Sequence, residues 1–177
     1  MKHLITALLV LAMTGFAQSQ SSSEFPERQS FEYESNIIKF NTLALFAGVI
    51  DVSYERVLNN KTSLIGSAGY TFGYLGDNVD GFQFGGEYRL YLSNKRHNAP
   101  RGWHIGAVVN YAHAKNSETQ LNVNALGTGF GFGYQWVWSS GLTLDLGLAP
   151  QYLTTFDYQT DKNTFIIPAQ LSIGYNF

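Results

Sequence analysis

The chain has 177 residues, with 11 basic and 13 acidic side chains, four histidines and no cysteine. This near balance of charge argues against a nucleic-acid partner, and the lack of cysteine excludes a disulfide framework, a thiolate zinc site and a lipidated amino-terminal cysteine. A composition with 18 glycines, 15% aromatic residues and only 14% charged residues is more typical of a β-barrel wall than of an average soluble domain.

The amino-terminal segment has the pattern of a secretory signal peptide. A short basic region around Lys2 and an apolar core precede a small-x-small cleavage site that ends at Ala17. We therefore predict a signal peptide over residues 1–17. The polar, acid-rich stretch that follows predicts a disordered or weakly ordered tail over residues 18–35. The remaining residues, 36–177, are predicted to form one outer-membrane β-barrel domain.

Turn-rich segments recur at strand-length intervals along that domain and divide it into eight predicted strands. No long helical periodicity follows the signal peptide, so the sequence predicts an all-β fold. The fold class that we expect is a single eight-stranded antiparallel transmembrane β-barrel of up-and-down topology, with both chain ends on the periplasmic side. The predicted strands span 37–47, 49–58, 62–74, 81–92, 102–114, 121–138, 141–156 and 164–177.

Large apolar residues alternate with small or polar residues in these strands, so each strand has two different faces. In the last strand every second residue from Phe165 to Phe177 is apolar, and the sixth sets five aromatic residues against glycines. Such bulky faces would overfill the narrow interior of an eight-stranded barrel. We therefore predict that they point outward, to lipid. A soluble, ligand-carrying barrel of lipocalin type, with the opposite orientation, is the main structural alternative.

The same alternation places charged residues on the inner face. In the opposite orientation they would lie in lipid, at ~2–4 kcal/mol for each basic residue at the bilayer midplane. We expect these charges to pair and to plug the lumen, with a proton or ion path as the alternative. Arg56 breaks the pattern, because it lies on the outer face near the periplasmic end, where it can snorkel to the interface. The predicted polar cluster of the lumen consists of Lys39, Asp51, Glu55, Glu87, Arg89 and Asp145.

The outer face is predicted to carry an aromatic girdle at the periplasmic interface. The predicted girdle consists of Trp103, Trp136, Trp138, Tyr175 and Phe177.

Two prolines within predicted strands, Pro150 and Pro168, each remove a ladder hydrogen bond. We predict that both lie near the outward rim, where water can satisfy the carbonyls that lose a donor. The first outward connection, around Gly48, is predicted to be nearly a bare hairpin.

No motif indicates catalysis or a bound cofactor, and we expect no catalytic, cofactor or metal site. His104 and His113 have opposite parity in the predicted fifth strand, so they cannot share a metal ion on one face. Two functional alternatives stay open beside a non-enzymatic barrel. One is a narrow channel for small solutes, and the other is a lipid A-modifying enzyme that uses His113.

The signal peptide, the alternating strands and the ending Leu171–Phe177 resemble the small eight-stranded outer-membrane barrels of the OmpX, OmpW and OmpA-barrel type. That ending is similar to the carboxy-terminal signal recognised by the barrel assembly machinery. The segments Ile38–Leu45 and Val52–Leu58 resemble uncharacterised outer-membrane barrel families of Bacteroidetes.

These resemblances imply a monomeric, non-enzymatic protein of the cell outer membrane of a Gram-negative bacterium, with a structural, small-molecule or lipid-interacting role. Its expected partners are outer-membrane lipid and the assembly machinery, and none is a nucleic acid.

Overall fold

The computed structural model describes residues 34–74, 77–92, 99–116, 122–156 and 162–177. The predicted signal peptide and almost all of the predicted tail lie outside the described residues. The last tail residues lie beside the barrel wall, where the carbonyl of Ser35 accepts a hydrogen bond from the Val57 amide at 2.8 Å. Among the described residues, no helix is long and apolar enough to cross a membrane.

Strand segments make up almost all of the described fold, with a single short helix between the first two. They are β1 (Asn36–Asn41), α1 (Thr42–Phe46), β2 (Val49–Asn59), β3 (Thr62–Tyr74), β4 (Asp77–Tyr91), β5 (Gly102–Asn116), β6 (Asn122–Val137), β7 (Leu142–Leu148), β8 (Gln151–Phe156), β9 (Lys162–Ile166) and β10 (Ala169–Asn176). Segments β7 and β8 keep one register against β6, and β9 and β10 keep one register against them. Each of these two pairs is therefore one interrupted wall strand.

The sheet closes on itself, because β5 pairs with both β4 and β6, and β1 pairs with both β2 and β10, all antiparallel. The paired residues can be followed from strand to strand once around the wall. Starting at Ile173 and passing through its partner Phe40 in β1, this path returns to the same wall strand at Asn163, which is ten residues earlier in the chain. Such a stagger tilts the strands by about 35–45° from the barrel axis. The prediction of an all-β, eight-stranded, antiparallel up-and-down barrel is confirmed.

Burial alternates along the wall in the predicted phase. In β2 the side chains from Val49 to Val57 are buried at every second position, and β7 alternates in the same way. Large apolar side chains point outward, as Phe130 does with 72% of its surface exposed. The inside of the barrel is therefore its polar face, and the outside is its apolar face. We call the end at which β1 begins and β10 ends the terminal end, and the opposite end the distal end.

The first predicted strand is wrong in its second half. Strand β1 ends at Asn41, and α1 occupies residues that were predicted as strand, so the first connection is longer than the nearly bare hairpin expected around Gly48. The side chain of Asn41 caps this helix by accepting a hydrogen bond from the Ala44 amide at 3.2 Å. Large side chains at Leu43 and Leu45 alternate with smaller ones at Thr42 and Ala44, so this pattern imitated a strand. The helix lies against β10 and β2, with Ala44 buried and Phe46 exposed.

The predicted position of the two prolines is also wrong. Pro150 and Pro168 interrupt their wall strands near mid-height, because the Pro150 carbonyl accepts from the Phe130 amide, close to the midpoint of β6, at 3.0 Å. The Pro168 carbonyl accepts from the Ala149 amide at 2.8 Å. The prolines' own carbonyls are thus satisfied by neighbouring strands. Each proline removes only a donor from the ladder.

Candidate functional site

The six charged residues of the predicted lumen cluster all lie inside the barrel, and none has more than 1% of its surface exposed. Five of them join in one network near the terminal end, where each is no more than four residues from the end of its strand. We call this set the lumen network. It consists of Lys39 on β1, Glu55 on β2, Glu87 and Arg89 on β4, and Asp145 on β7.

Lys39 connects one side of the lumen to the other. Its Nζ lies 2.7 Å from Oε2 of Glu55 on the neighbouring strand and donates to Oε1 of Gln135 on β6 at 2.5 Å. The same atom lies 3.7 Å from Oδ2 of Asp145 on β7. Because β1 contacts neither β6 nor β7 through its own ladder, these contacts cross the interior of the barrel.

Arg89 makes the second crossing. Its Nε and Nη2 donate to the two carboxylate oxygens of Glu87 at 2.5 and 2.7 Å, and its Nη1 donates to Oδ2 of Asp145 at 3.3 Å. Two parallel charge-assisted bonds to one carboxylate are a strong and directional arrangement. Gly106 on β5 makes room for it, because a Cβ atom there would overlap the Glu87 carboxyl group.

Asp145 is the centre of the network, since it contacts both cations. Its Oδ2 also accepts from Nε2 of Gln170 at 3.1 Å, and its Oδ1 lies 3.3 Å from Nε2 of His104. The predicted cluster did not include Gln135, Gln170 or His104. Their inward parity was available as a signal, because each shares a face with charged or glycine positions on its strand.

The terminal end of the lumen is closed below this network. Tyr91 and Ala99 are almost fully buried there, and the Tyr91 and His104 rings lie 6.0 Å apart between their centroids. The carbonyl of Pro100, in the segment before β5, accepts from Nε2 of Gln135 at 2.9 Å. The described residues just before β5, Ala99 and Pro100, therefore lie against the network at this end.

Asp51 lies apart from the other five. Its Oδ2 is 3.5 Å from Nδ2 of Asn41, the residue that caps α1, and it forms no ion pair with any described residue. The predicted cluster of six is thus a network of five residues with a separate carboxylate nearer the distal end.

The distal half of the lumen has a different lining. Its buried apolar side chains pack together, and each is no more than four residues from the distal end of its strand. One polar pair crosses this half, where Nδ2 of Asn110 donates to Oε1 of Gln151 at 3.0 Å. The apolar cluster consists of Ala112, Val123, Ala125, Leu153 and Ile166.

The residues of the predicted aromatic girdle lie outside, close to the terminal end. Trp103, Trp138, Tyr175 and Phe177 are exposed, and Trp136 is half-buried. Tyr134 joins two of the tryptophans, with ring centroids 5.3 Å from Trp103 and 4.5 Å from Trp136. The girdle thus has an additional member, which shares the outward parity of its strand.

The two histidines on β5 lie on opposite faces of the wall. His104 is inside, whereas His113 is outside near the distal end, where its Nδ1 lies 2.9 Å from Oδ1 of Asn124 and its ring stacks on Phe82 at 5.2 Å. The described part of the chain contains no group of three or more histidine, cysteine or acidic residues placed to hold a metal ion. The lumen network itself pairs two cations with three carboxylates, which suits a fixed plug.

A family model described as "Protein of unknown function (DUF3575)" matches residues 5–168 of the chain. The solved structure of the N-terminal β-barrel domain of Pseudomonas aeruginosa OprF is 18% identical, and the match covers 82% of this chain and 100% of that chain with a TM-score of 0.48. A comparison with curated proteins gives no match. The resemblance to Bacteroidetes barrel families stays a prediction. Because the family model spans most of its length, the chain belongs to the DUF3575 family.

Proposed function

We propose that this chain is an integral outer-membrane β-barrel protein whose lumen is a packed, non-conducting polar plug. Its role is structural or involves lipid and small molecules at the wall, without catalysis. The observation that carries the proposal is the inverted distribution of polarity: five ionisable side chains cross-link the inside, and large apolar side chains cover the outside.

The outer surface supports a membrane location. Phe84, Phe130 and Leu146 each expose more than half of their surface, and similar residues surround the whole wall. Soluble monomers seldom expose apolar patches larger than a few hundred Å². Charged residues on the outward face of the described strands occur only near the two ends, with Arg56 at one and Asp80 and Lys115 at the other. A band without charge between two polar rims is what a hydrocarbon layer requires.

The lumen network supports the absence of conduction. An ion that passes through would have to separate the paired side chains that Lys39 and Arg89 hold across the interior. Breaking one buried ion pair costs about 3–5 kcal/mol when a partner is left uncompensated. The covered terminal end adds a second obstruction, since Pro100 and Gln135 are hydrogen-bonded there.

The location is tested by fractionating cells and comparing boiled and unboiled samples on SDS gels. We expect the mature chain in the outer-membrane fraction, with a mobility shift that reports a detergent-resistant closed barrel. Release into the soluble periplasmic fraction without a shift would overturn the proposal, and the lipocalin-like alternative would replace it.

The plug is tested by single-channel recording in planar bilayers. We expect the folded protein to insert without steady current over the voltage range in which a general porin conducts. Steady, reproducible current from the unmodified barrel would contradict the plug and favour the narrow channel.

A further inference from the structure

Arg56 is a charged residue on the apolar face of the wall. It points outward from β2, three residues before the terminal end of that strand at Asn59, and its side chain is exposed. Its neighbours across the ladder are Asn36 on β1 and Leu64 on β3. Among the described strands, it is the one basic residue on the outward face at this end of the barrel.

One nitrogen of the Arg56 guanidinium is fixed by a hydrogen bond to the barrel wall. Its Nη1 donates to Oδ1 of Asn36 at 2.5 Å, and the same oxygen accepts from the Tyr54 hydroxyl at 2.6 Å. Asn36 is fixed in turn, because its Nδ2 donates to the carbonyl of Phe177 at 3.2 Å. The position of the cation is therefore set by the wall.

Within the part of the chain that the structure describes, most of the hydrogen-bonding capacity of this guanidinium is unused. The group has five N–H donors, and one of them is engaged by Asn36. No carboxylate of the described residues forms an ion pair with Arg56. A charged side chain at the edge of an apolar surface is stabilised by an anionic partner, and a guanidinium suits a phosphate, which it can bind with two parallel hydrogen bonds.

The wall beside Arg56 offers an apolar surface that leads toward mid-height. Tyr54 lies next to Gly66 across the ladder, and Gly66 lies next to Gly86 on β4. A Cβ atom at Gly66 would meet no atom within 4 Å, so the surface is open there. Exposed Tyr54 and Tyr88 flank this depression. The missing side chains at Gly66 and Gly86 leave room there for a hydrocarbon chain that runs along the wall.

We propose that Arg56 binds the phosphate of a phospholipid in the leaflet at the terminal end of the barrel. Asn36 and Tyr54 orient the guanidinium, and an acyl chain of the same lipid lies in the depression at Gly66. The inference deepens the proposed membrane function and rests on it, because it names the lipid class and the residue that holds it.

The test uses the folded barrel in a neutral detergent and measures lipid binding by native mass spectrometry. Dioleoyl phosphatidylglycerol is the probe, and dioleoylglycerol, which has the same chains and no phosphate, is its comparison. We expect one retained phosphatidylglycerol and no retained dioleoylglycerol. Arg56→Gln should weaken phosphatidylglycerol binding about tenfold, the loss expected for a charge-assisted bond. Lys61→Gln, a charge removal in the exposed turn at the same end, should leave binding unchanged.

A second variant tests the acyl contact. Gly66→Leu fills the depression and should weaken phosphatidylglycerol binding while Arg56 is intact. Equal binding of the two lipids, or wild-type affinity in Arg56→Gln, would overturn the inference. Each variant is first checked for the gel mobility shift, so that loss of the barrel is not counted as loss of the site. Failure of the unmodified protein to show that shift refutes the membrane function, whereas a normal shift without Arg56 dependence refutes the lipid site alone.

Discussion

Replacing Arg89 with methionine tests whether paired charges hold the lumen together. The substitution keeps the length of the buried side chain and removes its charge. Glu87 then loses the cation that it contacts through both carboxylate oxygens, at 2.5 and 2.7 Å, and Asp145 loses a contact at 3.3 Å. The Glu87 side chain has no exposed surface, and Arg89 forms its one ion pair among the described residues. Asp145 keeps Lys39 at 3.7 Å.

The expected cost follows from that uncompensated carboxylate. Removing one partner of a buried ion pair destabilises a protein by about 3–5 kcal/mol. With a urea m-value of about 2 kcal/mol/M, the unfolding midpoint in detergent micelles should fall by roughly 1.5–2.5 M. The assay follows the folded fraction by gel mobility across a urea series. Lys115→Met, on the exposed outer face, is the matched control, and a surface change of this kind stays within about 0.5 kcal/mol.

The double variant Glu87→Met with Arg89→Met distinguishes the charge from the packing. It removes the stranded carboxylate together with its partner, so it should recover at least about 2 kcal/mol of the loss, because buried pairs are often replaced by apolar residues at little cost. If the double variant is as unstable as Arg89→Met, the loss comes from packing and the reasoning is refuted. A cost below about 1 kcal/mol in Arg89→Met would refute it as well.

Three further substitutions test local features of the barrel. Gly106→Ala should cost about 1–3 kcal/mol in the same urea assay, because the new Cβ atom overlaps the Glu87 carboxyl group, whereas Gly66→Ala, where nothing lies within 4 Å, should stay within about 0.5 kcal/mol. Pro150→Val restores an amide opposite a β6 carbonyl and should raise the free energy of unfolding by about 0.5–1.5 kcal/mol. Asn41→Ala removes the cap of α1 and should cost about 0.5–2 kcal/mol, with faster amide exchange confined to the helix. Unchanged exchange in α1 would contradict the capping role.

The wall of this barrel could be predicted because its side chains alternate with a strict period of two. A shift of one residue would have moved Lys39, Glu87 and Arg89 from the lumen to the outside, so the charged positions fixed the phase of their strands. The structure confirms this phase, since each of the three residues lies inside the barrel with no more than 1% of its surface exposed.

The contents of the lumen were harder to predict, because parity gives a face and says nothing of partners. Asp145 contacts both cations and His104, whereas Asp51, with the same inward parity, contacts none of them. Which carboxylate joins the network depends on the tilt and stagger of the strands, and these arise from closure of the whole sheet. The position of the proline interruptions in the wall strands was also hard to predict. Pro150 was expected at a rim because a proline cannot donate to a ladder, but its carbonyl still accepts from Phe130 at mid-height.

The two halves of the lumen would oppose an ion for different physical reasons. In the distal half, Val123 and Leu153 belong to the packed apolar cluster, so an ion that passes this cluster would lose hydration without gaining a partner from it. In the terminal half, Lys39 and Arg89 are already paired with carboxylates across the interior. The barriers lie in series, and removing one leaves the other. A variant of the network alone should therefore unfold more easily than the native barrel and still carry no steady current.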